Sequence, residues 1–559
     1  MQQLIECVPN FSEGRDMAVI DAITAQIETV EGVKLLDVDP GYATNRTVVT
    51  FVGSPDQVVE AAVRAIGKAT ELIDMSQHEG EHPRFGATDV CPLVPVAGVT
   101  MEETVEHART LARRLGEEVG LSIYCYEAAA TTPERRNLAD VRQGEYEGLA
   151  DRLTDPQWKP DFGPSEFNTR SGATAVGARG FLIAYNVNLN TTSTRRANAI
   201  AYDVRERGRV KRTGDPVTGD IVLDEDGEKV WTPGLLKSVK AIGWFIEEYG
   251  VAQISMNLTD ISVTPVHVAF DEVCKRADAR GMRVTGSELV GLIPLNAILD
   301  AGRYYLRKQK RSTGVSDEEL IKIAIKSLGL EELTPFDPRE KIIEYAIDDR
   351  SNRLSDLSVR HFAEETASES VAPGGGSVSA NVGALGAALG TMVANLSAHK
   401  RGWDDRWEEF SDWAEAGKAC TDELVALVDR DTDAFNAIMA AFSLPKGSES
   451  EVARRDSAIE DATRQAIEVP LRVMEVSLGS MDVIRAMAEV GNPASASDAG
   501  VGAVCARSAV MGAYLNVRIN AASLSDQGAA ADYLRKGLAI QDRASEREAE
   551  ILAIVDQHL

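Results

Sequence analysis

The hydrophobic pattern of the chain changes character past its middle, and that change limits what it can fold into. Up to about residue 333, short β-branched runs alternate with stretches of helical period. From about residue 354 onward strand signals nearly vanish, and Ala, Glu, Leu and Arg recur with a period near 3.6. The first pattern predicts α+β units with helices on one face of a mostly antiparallel sheet; the second predicts a helical bundle. At roughly 150 residues per domain, the 559 residues give three such units room for cores of their own.

Within the first 180 residues, strands are expected at 34–38, 47–52, 90–96 and 121–126, because β-branched residues cluster there beside turn formers. Ser54-Pro55-Asp56-Gln57 and Thr100-Met101-Glu102-Glu103 read as capping boxes, the first with Pro at the first helical position. Val58, Ala62, Ile66, Ala69 and Ile73 follow at helical spacing and predict one buried face. The pattern restarts at 181–188, with a helix through 195–207 stopped by Gly208, strands near 239–245 and 251–258, and a helix opened by Thr264-Pro265. The polar stretch 209–235 carries Asp-Gly turn signals and predicts an exposed hairpin. The charged segment 334–351 reads as a linker.

Lys plus Arg number 59 against 87 Asp plus Glu, a net charge of −28. A surface that acidic repels nucleic-acid backbones and anionic membranes, so any anionic ligand must be held by a local basic cluster. The six cysteines are scattered with no CxxC pair, which argues against a disulfide framework or a zinc ribbon and for a reducing, cytoplasmic setting. No basic and apolar leader opens the sequence. The uncharged run 377–398 contains Gly386 and Gly390 in a GxxxG, but Asn381, Asn395 and its serines dilute it, and it reads as a buried helix with a small-residue face rather than a membrane span.

Four clusters carry candidate chemistry. The densest is Gln77-His78-Glu79-Gly80-Glu81-His82-Pro83-Arg84-Phe85-Gly86. Gly80 and Pro83 disfavour the helix that a zinc-binding HExxH needs, so a catalytic loop is favoured over a metal site, with a histidine to shuttle protons and Asp37 or Asp39 to orient it. A glycine-rich stretch, 161–179, has neither a P-loop nor a dinucleotide fingerprint; flanked by Arg170 and Arg179, it suits a flat heterocycle with carboxylates or a loop joining domains. Gly374-Gly375-Gly376-Ser377 precedes a predicted helix, where free N–H groups attract an anion, or serves as a hinge. Asp429, Asp431 and Asp433 begin like a calcium loop, but Ala434 and Ala440 replace the residues that such a loop requires. As a helix, that segment sets Asp429 and Asp433 one turn apart and points Asp431 elsewhere.

Together these motifs resemble the formimidoyltransferase-cyclodeaminase family of bifunctional folate enzymes. The likeness rests on ECVPNFSEGR (6–15), LLDVDPG (35–41), TNRTVVTFVG (44–53), LIDMSQHEGEHPRFGATDVCP (72–92), PDFGP (160–164), GATAVGAR (172–179), GWFIEEYGVAQISMNL (243–258), LVGLIPL (289–295), APGGGSV (372–378), LVDRDTDAF (427–435) and LPK (444–446), all in family order. It implies transfer of the formimino group from N-formimino-L-glutamate to tetrahydrofolate, then cyclisation to 5,10-methenyltetrahydrofolate with release of ammonia. By this resemblance His82 matches the transferase's catalytic histidine, Asp39 an assisting carboxylate and Asp431 the cyclodeaminase's catalytic aspartate. Gly163, Pro164, Ser165, Glu166, Phe167, Asn168, Thr169, Arg170, Ser171 and Gly172 match the folate-binding stretch, and Gly374, Gly375 and Gly376 are expected to help bind folate.

The expected architecture is α+β followed by all-α. It comprises two ferredoxin-like α/β-sandwich subdomains at 1–180 and 181–333, a linker at 334–351, and a cyclodeaminase-type helical domain at 352–559. The co-substrate is tetrahydrofolate, polyglutamylated or not. No metal, nucleic acid or membrane span is expected, and the chain is expected to form a homo-oligomer built from dimers. Both substrates are anions, and Arg46, Arg84, Arg170 and Arg179 are the candidates to hold their carboxylates against the global charge.

Overall fold

The computed structural model describes residues 3–214, 219–347 and 353–559. In the first subdomain a mixed sheet runs in the order Lys34–Gly41, Arg46–Gly53, then Leu4–Cys7 with Asn10–Phe11 at one shared position, Thr88–Ala97, Ala173–Ala178 and Ser122–Glu127. The first four positions are antiparallel, and the last two strands join in parallel. That is where the sheet departs from a mostly antiparallel one: the helix Met101–Arg114 carries the chain across to an edge strand of the same direction.

Helices Met17–Glu28, Pro55–Leu72 and Met101–Arg114 supply the apolar partners of this sheet. Val58, Ala62, Ile66 and Ala69 are buried on the second of them, as their spacing predicted. Thr100 and Glu103 form both bonds of a capping box, whereas the Ser54 hydroxyl donates to the Gln57 side chain at 2.7 Å and leaves the backbone uncapped.

The second subdomain repeats the plan. Strands Ile183–Leu189, Val239–Ile246, Val251–Leu258 and Val284–Val290 alternate with helices Thr194–Val204 and Val266–Asp278. The sheet order is second, third, first, fourth, as in the first four positions of the N-terminal sheet. In each subdomain the helices, three in the first and two in the second, pack against the sheet, and a face is left for a different use. The stretch 209–235 forms a small two-stranded arm, Arg209–Val210 against Trp231–Thr232, in which residues 215–218 lie outside the described residues.

The chain divides into two compact units: Met1–Ala301 with Ile321–Asp348, and Gly302–Leu320 with Asp349–Leu559. The stretch expected to be a linker is structured over its described part, since 338–347 form helices Pro338–Lys341 and Ile343–Ile347. Ile342 and Ile343 are buried, and Lys341 pairs with Asp37 at 3.0 Å. That partner lies about 300 residues away in the chain, so composition alone could not reveal it. The other part of that expectation, 348–351, lies outside the described residues.

The second unit is built from helices Gly375–Ala398, Trp407–Phe442, Glu449–Val490, Ala496–Ala521 and Gln527–Val555 around an Ala-, Val- and Met-rich core. Gly375–Ala398 is long and apolar enough to cross a membrane, and it is more than half buried within its unit. A Cβ on Gly386 would lie 2.9 Å from the Gly502 carbonyl, so the GxxxG permits two helix backbones to approach closely. In the first core Phe51 is fully buried. Phe51→Ala is expected to cost about 3–5 kcal/mol, read as a lower unfolding midpoint of the first unit with the helical unit's transition unmoved.

Candidate functional site

The side chains of the first sheet alternate, and most of the residues facing away from its helices are polar. Glu6, Val8 and Asn10 share that face with Arg46, Val48 and Thr50 of the neighbouring strand. The matching face of the second sheet carries Asn186, Gln253, Ser255, Asn257 and Glu288. Both line one cavity of about 390 Å³ within the first unit, together with Asp39, His82, Arg142 and Arg179. That volume suits a small-molecule ligand.

His82 is presented by a non-helical loop. Asn45 pins the loop: its side-chain amide donates to the Glu79 carbonyl at 2.9 Å, and its own carbonyl lies 2.8 Å from His78 Nε2. A Cβ on Gly80 would meet the Thr44 carbonyl at 2.3 Å, so glycine is required where the loop crosses that turn. His82 Nδ1 is 2.7 Å from both Arg46 Nη1 and the Pro83 carbonyl. One nitrogen cannot accept from a guanidinium and donate to a carbonyl at once. The two contacts therefore correspond to two tautomers, with the proton on Nε2 or on Nδ1 respectively.

Neither Asp37 nor Asp39 orients the imidazole by a hydrogen bond. Asp37 is paired with Lys341, and Asp39 Oδ2 accepts from Gly291 N at 3.1 Å. The carboxylate tied to His82 is Asp89, through Arg46. Asp89 is fully buried, and its Oδ2 accepts from Arg46 Nη1 at 2.7 Å and from Arg142 Nη1 at 2.6 Å. Burial alone would raise the Asp89 carboxyl, but Arg142 and Arg46 outweigh it and hold it below the usual range. Burial, then the positive charge of Arg46, push His82 down to about 3. The imidazole is therefore neutral at physiological pH. Asp89 and Arg142 escaped the sequence reading; the one signal, for Asp89, was a carboxylate immediately before the apolar run 90–96.

Of the four candidate arginines, Arg46 and Arg179 line the cavity. Arg84 is instead clamped on Glu147, and Arg170 donates to the Glu71 carbonyl at 2.6 Å. The stretch 163–172 does not line the cavity; it is a mostly exposed loop, bound back to both flanks of the His82 loop. Met75 N donates to Arg170 O, and Ala87 N to Ser171 O, each at 2.8 Å. Phe167 packs its ring against Tyr146.

In the helical unit Asp431 lies within the helix Trp407–Phe442, so no calcium loop forms there. Asp429 anchors the turn before the bundle, accepting from Leu354 N at 2.8 Å and from the Ser355 hydroxyl, while Asp433 is exposed. Asp431 alone of the three meets the glycine turn. Its Oδ2 accepts from Ser377 Oγ at 2.9 Å, and a Cβ on Gly376 would fall 2.1 Å from its Oδ1. Burial raises the Asp431 carboxyl, and the Ser377 contact offsets only part of that. Among the described residues no group of three or more His, Cys, Asp and Glu gathers to hold a metal ion.

Family models match nearly the whole chain: the formiminotransferase domain, N-terminal subdomain, over residues 4–179, the formiminotransferase domain over 184–348, and formiminotransferase-cyclodeaminase over 358–537. Formimidoyltransferase-cyclodeaminase of Mus musculus is 45% identical over 528 residues, 94% of each chain. The chain belongs to the formimidoyltransferase-cyclodeaminase family. Its two halves also have separate relatives. Glutamate formimidoyltransferase of Streptococcus pyogenes serotype M1 is 40% identical over 307 residues, 55% of this chain and 94% of its own. Methenyltetrahydrofolate cyclohydrolase of Methylorubrum extorquens is 34% identical over 179 residues, 32% of this chain and 86% of its own. The family's two-part make-up thus coincides with the division between the His82 cavity and the Asp431 turn.

Two outcomes follow from this geometry. An unfolded histidine protonates near 6.5, whereas His82 in the fold resists protonation until about 3. Between those values the unfolded state binds the extra proton, so the first unit loses stability as pH falls through that window. Denaturant titrations from pH 7 to 4 are expected to show that loss, with a flatter slope in His82→Gln. In the helical unit, Gly376→Ala must displace Asp431. A shift of about 1 Å is expected to slow ring closure of supplied 5-formimidoyltetrahydrofolate by about 10²-fold, while formimino transfer measured separately is unchanged.

Proposed function

We propose that this protein carries out two consecutive folate reactions: it moves the formimino group from N-formimino-L-glutamate to tetrahydrofolate, then closes 5-formimidoyltetrahydrofolate to 5,10-methenyltetrahydrofolate and releases ammonia. The observation that carries this reading is the presence, in a chain alike over 94% of its length to bifunctional relatives, of a neutral, half-buried histidine in one unit and an aspartate whose carboxyl is raised by burial in the other.

In the transferase cavity, N5 of the folate attacks the amidine carbon and a tetrahedral adduct forms. With Nδ1–H directed at the Pro83 carbonyl, Nε2 of His82 is free to take the N5 proton. The adjacent Arg46 charge keeps the imidazolium from persisting, so the proton passes on to the departing glutamate nitrogen. A substrate carboxylate held by Arg142 or Arg179 offsets that positive charge and raises the basicity of His82 once substrate is in place. Asp39 assists from the cavity rim, fixed by Gly291 N. The loop Gly163–Gly172 contributes folate contacts beside the His82 loop, with Phe167 and Tyr146 as an aromatic surface.

In the helical unit N10 attacks the same carbon. Asp431 protonates the nitrogen that leaves as ammonia, a role open to an aspartate whose burial keeps its proton affinity up. Gly374, Gly375 and Gly376 at the head of Gly375–Ala398 offer backbone N–H groups to the folate.

We also read both α/β subdomains as ferredoxin-like sandwiches, supported by their shared strand order, with units at 1–180, 181–333 and 352–559 joined through 334–351. The co-substrate is tetrahydrofolate, with or without a polyglutamate tail. Six free cysteines support a cytoplasmic setting, and exposed Leu385, Leu396, Leu515 and Ile519 support a homo-oligomer of dimers. Separation of function tests the assignment. His82→Ala is expected to lower transfer by at least about 10²-fold and spare ring closure of supplied 5-formimidoyltetrahydrofolate, and Asp431→Asn the reverse. Loss of both activities in either variant, or of neither in both, overturns these roles.

A further inference from the structure

Glu6 sits on the strand Leu4–Cys7 between Ile5 and Cys7, both fully buried in the core behind the sheet. It points the other way and lines the transferase cavity, yet it is only 4% exposed. The other charged groups around the cavity are either tied to a neighbour or open to solvent. Asp39 is held by Gly291 N; Glu288 accepts from Tyr249, Asn186 and Gln253; Arg46 and Arg142 share Asp89. Glu6 makes no hydrogen bond or ion pair with any described residue; what acts on it is the charge of Arg179, opposed by that of Glu344. Burial holds its carboxyl up at about 7.

A carboxyl nine-tenths buried without a partner is a cost that folding does not recover by itself. Its position on a cavity wall makes a bound ligand the missing partner. We infer that Glu6 is a substrate-binding residue of the transferase cavity, accepting two parallel N–H groups from the planar amidine-type edge of a substrate. This rests on the transferase reading of the site.

The chemistry follows from what the side chain offers. An ionised carboxylate only accepts, through two oxygens in one plane, and the best match is a planar group with two N–H bonds side by side. Each co-substrate carries such an edge: the formamidinium of N-formimino-L-glutamate, and the 2-amino-4-oxopyrimidine edge of tetrahydrofolate. The carboxylates of both substrates are repelled by Glu6 and fall to the arginines. Glu6 therefore selects which end of a substrate enters this part of the cavity.

The test uses the full-length chain with Glu6→Gln and Glu6→Leu. Binding of tetrahydrofolate alone is measured by titration, and KM for N-formimino-L-glutamate at saturating tetrahydrofolate. Removing a charge-assisted pair of bonds is expected to weaken one of the two by about 10- to 100-fold. A loss of tetrahydrofolate binding assigns the pyrimidine edge; a rise confined to the other KM assigns the amidine. Because an unpartnered buried carboxyl has been removed, the melting temperature of ligand-free Glu6→Leu is expected to match or exceed that of the parent. Unchanged affinities for both substrates, a fall in kcat alone, or a lowered melting temperature with equal weakening of both substrates would each overturn the proposal. If the parent protein transfers no formimino group, the transferase reading fails on its own, and the tetrahydrofolate titration still reports on Glu6.

Discussion

One buried carboxylate organises the transferase half. Asp89 lies inside the sheet with no exposure, and two guanidinium groups converge on a single one of its oxygens. Removing one member of such a buried set costs about 3–5 kcal/mol, because a charge is left unpaired in a poor dielectric. The set is also electrically unbalanced: two positive groups meet one negative one, and the excess positive charge faces the cavity beside His82. The same excess that suppresses protonation of the imidazole attracts an anionic substrate. Structural pairing and catalytic tuning are thus one arrangement.

That arrangement depends on the repeated α/β plan. Helices cover one face of each sheet, which leaves the other faces free to be polar without exposing a core. On the second sheet the buried amides do not stand alone: Trp244 donates to Gln253, Gln253 to Asn188 and Glu288, and Asn186 to Glu288. Buried polar groups joined in this way hold fixed positions. One wall of the cavity is therefore rich in guanidinium charge and the other in fixed amides and a carboxylate, a division suited to ligands with an anionic end and a donor-rich end.

Local signals were legible in the sequence where the physics is local. The Thr100–Glu103 capping box and the buried stripe from Val58 to Ala69 depend on residues within one or two turns of each other. The change to an all-helical pattern was legible for the same reason. What stayed hidden joins distant segments: Asp89 with Arg142, Asp37 with Lys341, and the strand Val284–Val290 that completes the second sheet. The alternation Ile5-Glu6-Cys7 shows that Glu6 faces away from the core, but periodicity cannot tell a cavity from bulk solvent. Asp431 was singled out by family likeness, and its distinction from Asp429 and Asp433 is physical: only its side chain reaches the glycine turn.

The two units solve opposite versions of one proton problem. Transfer needs a group that takes a proton from a weakly basic nitrogen and gives it up again, so its charged form must be unstable; burial next to Arg46 ensures that for His82. Ring closure needs a group that gives a proton to the leaving nitrogen, which a destabilised charged form favours; burial under the glycine turn raises the Asp431 carboxyl in that direction, and Ser377 offsets part of it. For a base, disfavouring the charged form lowers the pKa, and for an acid it raises it. Removal from water therefore produces both behaviours, and the residue type decides the direction. The −28 net charge sets the remaining requirement. An anionic intermediate near this surface is repelled everywhere except where guanidinium groups or helix N–H groups are turned toward it, and those are the features the structure gathers at its two sites.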